Sequence, residues 1–132
     1  MKKIRMKYFP FAFLLLLFYG CDPFYHLNYV VTNKSQQAIW VTNTNGYMAS
    51  SKQRLLQPGE TDTVWSRGGV GFAREEYEAS EKDGMQQQFV FSTDSTISDS
   101  TRFIPLGKWE YSETMRTEGK ANLVVTPNDL KR

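Results

Sequence analysis

Leu27-Asn28-Tyr29-Val30-Val31-Thr32-Asn33 is the stretch that decides the fold. Leu27, Tyr29 and Val31 alternate with Asn28, Val30 and Thr32. That two-residue period belongs to a β-strand with one face in a core. Asn33-Lys34-Ser35 then reads as a turn. A second run extends from Ala38 to Asn43, with Ile39 and Val41 alternating against Trp40 and Thr42. Asn45-Gly46 predicts another turn, because Asn and Gly both accept positive φ.

The same grammar continues along the chain. In Leu55-Leu56-Gln57-Pro58-Gly59-Glu60-Thr61, Pro58 presets φ for one central turn position and Gly59 tolerates the positive φ that type II needs next. Thr61, Thr63 and Trp65 then alternate against Asp62 and Val64. Gln86 to Ser92 sets Phe89 and Phe91 opposite Val90. Lys108 to Ser112 points Trp109 and Tyr111 inward, with Lys108, Glu110 and Ser112 toward water. Lys120 to Thr126 puts Ala121, Leu123 and Val125 on one side. Paired valines at 30–31 and 124–125 suggest strands covered on both faces over part of their length. Phe72 to Lys82 is rich in helix formers and reads as one or two helical turns, with a charged loop as the alternative. Ser92 to Thr101 reads as a polar loop, with a short strand around Ile97 as an option. Six or seven short strands with frequent turns predict an all-β, two-sheet antiparallel sandwich.

The N-terminus carries a different signal. Lys2, Lys3, Arg5 and Lys7 precede an apolar run from Tyr8 to Tyr19, then Gly20 and the sole cysteine, Cys21. That is the layout of a secretory signal peptide, and the run is too short to span a bilayer, which takes about 20 apolar residues. The expected organisation is a signal peptide over 1–20, a tether over 21–26 and a β-sandwich domain over 27–132. Four of the 16 basic residues lie in the leader, which leaves 12 against 14 acidic ones beyond it. The formal charge of +2 therefore belongs to the whole chain, not to the domain, and no basic aromatic patch argues for nucleic acid.

Leu17-Phe18-Tyr19-Gly20-Cys21 resembles the bacterial lipobox, with Gly20 as the small residue before the cysteine. Phe18 and Tyr19 depart from its stricter form, and looser versions are familiar in the Bacteroidota. The resemblance implies that Cys21 receives a diacylglycerol on its sulfur and that residues 1–20 are removed. Two or three acyl chains would then hold the protein durably, where one chain holds only marginally. The expected location is the cell envelope, anchored by lipid to the outer membrane on its periplasmic face or at the cell surface. Val31-Thr32-Asn33, the Leu56-x-Pro58-Gly59-Glu60-Thr61 turn and Leu123-Val124-Val125-Thr126 resemble immunoglobulin-like domains of small Bacteroidota lipoproteins. The Cys–Trp–Cys core of antibody domains is absent, which leaves the strand order open.

The residues offer little for catalysis, and the expectation is a protein that is not an enzyme. His26 is the only histidine and stands five residues from Cys21, in the expected tether. A catalytic base needs fixed geometry. Neither a cofactor nor a metal site is implied. Gly68-Gly69-Val70-Gly71 lacks the ending of a phosphate loop and reads as a flexible connection. Glu75, Glu76, Glu78, Glu81 and Asp83 read as a solvated face, with paired carboxylates of a hydrolase as the alternative. Asp94 and Asp99 have no calcium-loop spacing. Asp62-Thr63-Val64, Asp94-Ser95-Thr96 and Asp99-Ser100-Thr101 resemble the short Bacteroidota O-glycosylation signal, which makes Thr63, Ser95 and Ser100 candidate acceptors. Trp40, Trp65, Trp109, Tyr47 and Tyr111 belong either to the core or to a sugar-stacking platform, with Trp40 the surface candidate. Three readings result, in this order: a non-catalytic envelope lipoprotein that is structural or binds envelope proteins, a small glycan-binding module, and last a small hydrolase using the acidic stretch at 75–83.

Overall fold

Tyr25, Leu27, Tyr29, Val31 and Asn33 all point into the interior from strand β1, Phe24–Asn33. The computed structural model describes residues 22–44, 53–84 and 88–131. The leader, Cys21, the Asn45-Gly46 turn and Tyr47 lie outside the described residues. Seven further strands lie among the described residues: β2 (Ile39–Asn43), β3 (Arg54–Leu56), β4 (Thr61–Val70), β5 (Phe89–Ser92), β6 (Arg102–Phe103), β7 (Glu110–Met115) and β8 (Glu118–Val125). A helix, α1 (Ala73–Lys82), lies between β4 and β5, and a 3-10 turn at Pro127–Leu130 comes after β8.

The strands form two four-stranded sheets, ordered β4-β1-β8-β7 and β3-β2-β5-β6. Their inner faces enclose one core, so the predicted two-sheet sandwich is the fold. Every ladder is antiparallel except β1–β8, which runs parallel from His26↔Glu118 to Asn33↔Val125. The first and last strands are therefore neighbours, and their starts share one end of the sheet. Tyr29 sits at the centre, fully buried, with its ring 5.1 Å from Trp65, 5.3 Å from Phe89 and 5.4 Å from Trp109. Each such pair contributes about 0.5–1.5 kcal/mol beyond its burial.

Asn33 closes β1 as a buried polar hub. Its Nδ2 donates to the carbonyls of Gln37 (2.8 Å) and Leu56 (2.9 Å). Its Oδ1 accepts from the Ser35 amide (3.0 Å) and hydroxyl (2.6 Å). Its main chain pairs with the Pro58-Gly59 turn, donating to Glu60 (2.8 Å) and accepting from Gly59 (2.7 Å). That turn has the predicted form: the Glu60 amide donates to the Gln57 carbonyl at 3.0 Å, and Gly59 carries φ of 84°.

Several expectations are corrected. Phe24, Tyr25 and His26 belong to β1 rather than to a tether, because Tyr25 is a core residue and the strand pairs with β4 from its first residue. Gly68 and Gly69 are strand residues, not a loose connection, and the Tyr25 ring lies where a side chain on Gly69 would go. The alternation of Thr61, Thr63 and Trp65 is broken by a bulge: Tyr29 faces Trp65 while Val30 faces Thr63, which leaves Val64 as the extra residue. The bulge turns Trp65 inward and leaves Thr61 and Thr63 on the outer face. Val124 is exposed, so β8 is covered on one face only. Ile97 lies in no strand.

The C-terminus is pinned by Asp129. Its carboxylate accepts from the amides of Leu106 and Thr126 and from the Thr126 hydroxyl (2.8 Å). Burial pushes its pKa up, but these three donors outweigh burial and hold it below the ordinary value.

These contacts give two tests. Asn33→Ala removes four side-chain hydrogen bonds, takes the Asn33 partner from the buried Leu56 carbonyl and Ser35 amide, and should cost roughly 2–4 kcal/mol in urea unfolding. Asp129 stabilises the fold above its unfolded pKa of about 3.9, and that contribution is lost as pH falls through its lower folded value. Asp129→Asn should therefore flatten the loss of stability with acidification below about pH 4; an unchanged acid limb would contradict the pinning.

Candidate functional site

The expected site residues fall on two parts of the molecule. Ser95 and Ser100 are exposed on the β5–β6 loop, as read from the sequence. The loop is knit by its own hydroxyls. Thr101 Oγ1 accepts from Ser92 Oγ (2.9 Å) and from the Ser98 amide (3.1 Å). Asp94 Oδ1 accepts from the Thr96 amide (3.1 Å) and Ser95 Oγ (3.2 Å), which is local turn chemistry. Ser100 Oγ lies 2.8 Å from Ser98 Oγ. Thr63 differs: it is half-buried within β4, and its amide donates to Asp62 Oδ1 at 2.8 Å. The structure does not bring Thr63 to the loop serines.

Trp40 stands half-buried on the outer face of β2, opposite Ile39 and Val41, which fill the core. Its cross-strand neighbours are Leu55 on β3 and Ser92 on β5. Gln53 Nε2 donates to the Ser95 carbonyl at 3.0 Å, which carries the loop across β2 on the face that Trp40 shares. Trp40 is thus flanked by a loop rather than set on an open plane. Trp109 is in the core and Trp65 packs against it, so these two tryptophans serve packing. A cleft of about 190 Å³ lies beside the loop, lined by Gln37, Ser100, Arg102, Phe103 and Leu130 among others. It falls short of the roughly 300 Å³ at which ligand pockets begin.

The second cluster lies where α1 covers the end of the first sheet. Ala73, Tyr77 and Ser80 face inward at helical spacing. Glu75 and Glu76 sit in the first turn, where the helix dipole favours them, and the Ala73 amide donates to Arg116 O at 3.0 Å. Tyr77 stacks on Tyr111 with centroids 5.1 Å apart, and its hydroxyl donates to Trp109 O at 2.9 Å. Arg74 lies 5.0 Å over the Tyr111 ring and 3.4 Å from Glu113, while Tyr111 donates to Glu113 at 3.0 Å. Arg67 pairs with Glu76 at 2.8 Å. The helix approaches because β8 carries glycine here: a Cβ on Gly119 would sit 2.6 Å from the Tyr111 ring and 2.9 Å from Ala73 Cβ.

Burial, then hydrogen bonding to Glu113, pushes the Tyr111 phenol up to about 12. Burial likewise raises Tyr25 and Tyr29. These phenols stay protonated at neutral pH, and that of Tyr111 donates to Glu113. Glu75, Glu78, Glu81 and Asp83 are exposed on the helix and its end, consistent with a solvated face. His26 is exposed on β1, edge-on to Phe24 at 5.4 Å. Among the described residues, no group of three or more His, Cys, Asp or Glu side chains is placed to hold a metal.

The sequence reading missed Asn33 as a buried hub, Gly119 as the seat of the helix, and the Tyr77–Tyr111 stack. The inward alternation of Trp109 and Tyr111 was the available signal for the last. No protein-family model, curated protein or solved structure matches this chain.

Tyr111 gives a pH test. Its protonated form is favoured by the fold, so its contribution is complete below the unfolded pKa of about 10 and is lost as pH rises through the folded value. Tyr111→Phe should make stability fall less steeply above about pH 10, read by circular dichroism. An unaltered alkaline limb would contradict the environment described for this phenol.

Proposed function

We propose that this chain is a lipid-anchored protein of the bacterial cell envelope whose sandwich is a non-catalytic structural or protein-interaction domain. The observation that carries the reading is Cys21 at the end of a basic-then-apolar leader, with β1 beginning three residues later at Phe24. The lipobox-like Leu17-Phe18-Tyr19-Gly20-Cys21 supplies the acylation chemistry, and removal of residues 1–20 would leave the folded domain immediately next to its anchor. In this reading the aromatic and polar clusters hold the sandwich together, and partners meet its outer faces.

The outward placement of Trp40, beside the partly exposed Leu55, supports a second reading, that of a small glycan-binding module. Calorimetry against envelope glycans discriminates the two: Trp40→Ala should abolish binding in the module reading, and absence of any binding by the unaltered protein removes it.

The anchor itself is tested by intact mass spectrometry of protein extracted from a producing bacterium. The proposal expects a chain starting at Cys21 with added diacylglycerol, and a Cys21→Ala variant that leaves the membrane fraction. A native chain with an unmodified thiol would defeat it.

A further inference from the structure

Five large apolar side chains are more than half exposed among the described residues, and they fall in two places. Phe24 (58%), Val70 (67%) and Met115 (59%) lie at one end of the first sheet. Ile104 (87%) and Leu106 (76%) lie on the connection between β6 and β7. That connection sits at the other end, since a Cβ on its Gly107 would be 3.2 Å from the carbonyl of Val124, near the finish of β8. Because β1 and β8 run parallel, their starts mark one end and their finishes the other.

The first group shares a face as well as an end. Phe24 pairs directly with Val70 across β1 and β4. His26 pairs with Glu118, and Glu118 pairs with Met115, which carries the same outer face across to β7. Further along that face the cross-strand contacts are polar: Ser66 to Asn28 at 2.7 Å, Thr32 to Thr61 at 2.9 Å and Asn122 to Ser112 at 2.9 Å. Among the described residues, the large apolar side chains of this face that are more than half exposed therefore cluster at the end where β1 begins, with only the less exposed Val124 further along.

From the placement of Cys21 we infer that Phe24, Val70 and Met115 form a membrane-contacting edge, which seats the domain against the lipid surface in one orientation. The inference rests on the proposed acylation of Cys21. Three residues of fully extended chain reach at most about 11 Å, so an anchored Cys21 keeps Phe24 within that distance of the bilayer interface. Interfacial apolar faces insert about 5–10 Å, which matches that reach. The approach is also fixed in direction, because the Pro23 carbonyl accepts from the Gly71 amide at 2.8 Å and so ties the incoming chain to the end of β4. Charge near this edge is mixed, with Asp22, Glu118 and Arg116 all exposed, so the contact is apolar rather than an attraction to acidic lipid.

The test uses the full chain, processed in a bacterium and reconstituted in vesicles of zwitterionic phosphatidylcholine and phosphatidylethanolamine. Variants Val70→Cys, Met115→Cys and Leu106→Cys each carry an environment-sensitive fluorophore on the introduced thiol, since a thioether at Cys21 does not react. All three positions are exposed, so labelling leaves the core intact. Quenching by spin-labelled lipid should be about threefold stronger at positions 70 and 115 than at 106, as expected for groups held in the interface. Equal quenching at the three positions in protein shown by mass spectrometry to be acylated overturns this inference alone. An unacylated Cys21 in that same measurement overturns the proposed function and this inference with it.

Discussion

The buried amide of Asn33 is the constraint on which the rest of the sandwich depends. A carboxamide can make four hydrogen bonds, and this one makes all four, to Gln37, Leu56 and twice to Ser35. A buried amide without partners is costly, whereas a satisfied one costs little. The partners converge only when the end of β1, the lead-in to β2, the end of β3 and the Pro58-Gly59 turn are all in place. Asn33 therefore selects one way of bringing the two sheets together. The aromatic core around Tyr29 supplies bulk stabilisation, which is less directional than a set of hydrogen bonds.

Strand β1 links that junction to the entry of the chain. It lies in the interior of its sheet, between β4 and β8, and its inward side chains run from Tyr25 to Asn33 without interruption. One end carries Phe24, three residues from Cys21, and the other carries the polar hub. Pairing of β1 with β8 joins the first and last described strands in one ladder, and Asp129 fastens the short segment beyond β8. Strand β1 cannot peel away without breaking its ladders with both β4 and β8, which suits the proposed attachment at Cys21.

Much of this was legible in local pattern. The alternations at 27–31 and 121–125 gave core faces that the sandwich uses, and Pro58-Gly59 specified its turn through the φ values that each residue permits. One or two helical turns within 72–82 were visible from composition, and the structure extends them to a ten-residue helix whose buried face depends on Ala73, Tyr77 and Ser80 rather than on a clear apolar stripe. The features that escaped were set by distant partners. Asn33 reads as a turn residue, and only the carbonyls of Leu56 and Glu60 make it a buried one. The bulge at Val64 leaves no mark in an alternating sequence, yet it decides that Trp65 faces inward and Thr63 outward. Gly119 carries no sign of the helix that packs on it. The loop serines were read correctly as exposed, since a run of small polar residues has nothing to bury. The crossing of that loop near Trp40 is set by one glutamine far away in sequence, Gln53.

Amide hydrogen exchange tests most directly whether the junction at Asn33 holds the fold together. The account predicts that the amides of Asn33, Lys34, Ser35 and Gly59, although they lie in a turn region and its docking partner, exchange only by global unfolding, at the rate of the β1–β8 ladder. Rapid exchange at Gly59 and Ser35 while that ladder stays protected would contradict it, and would show the hub to be an ornament on a sandwich held by its core alone.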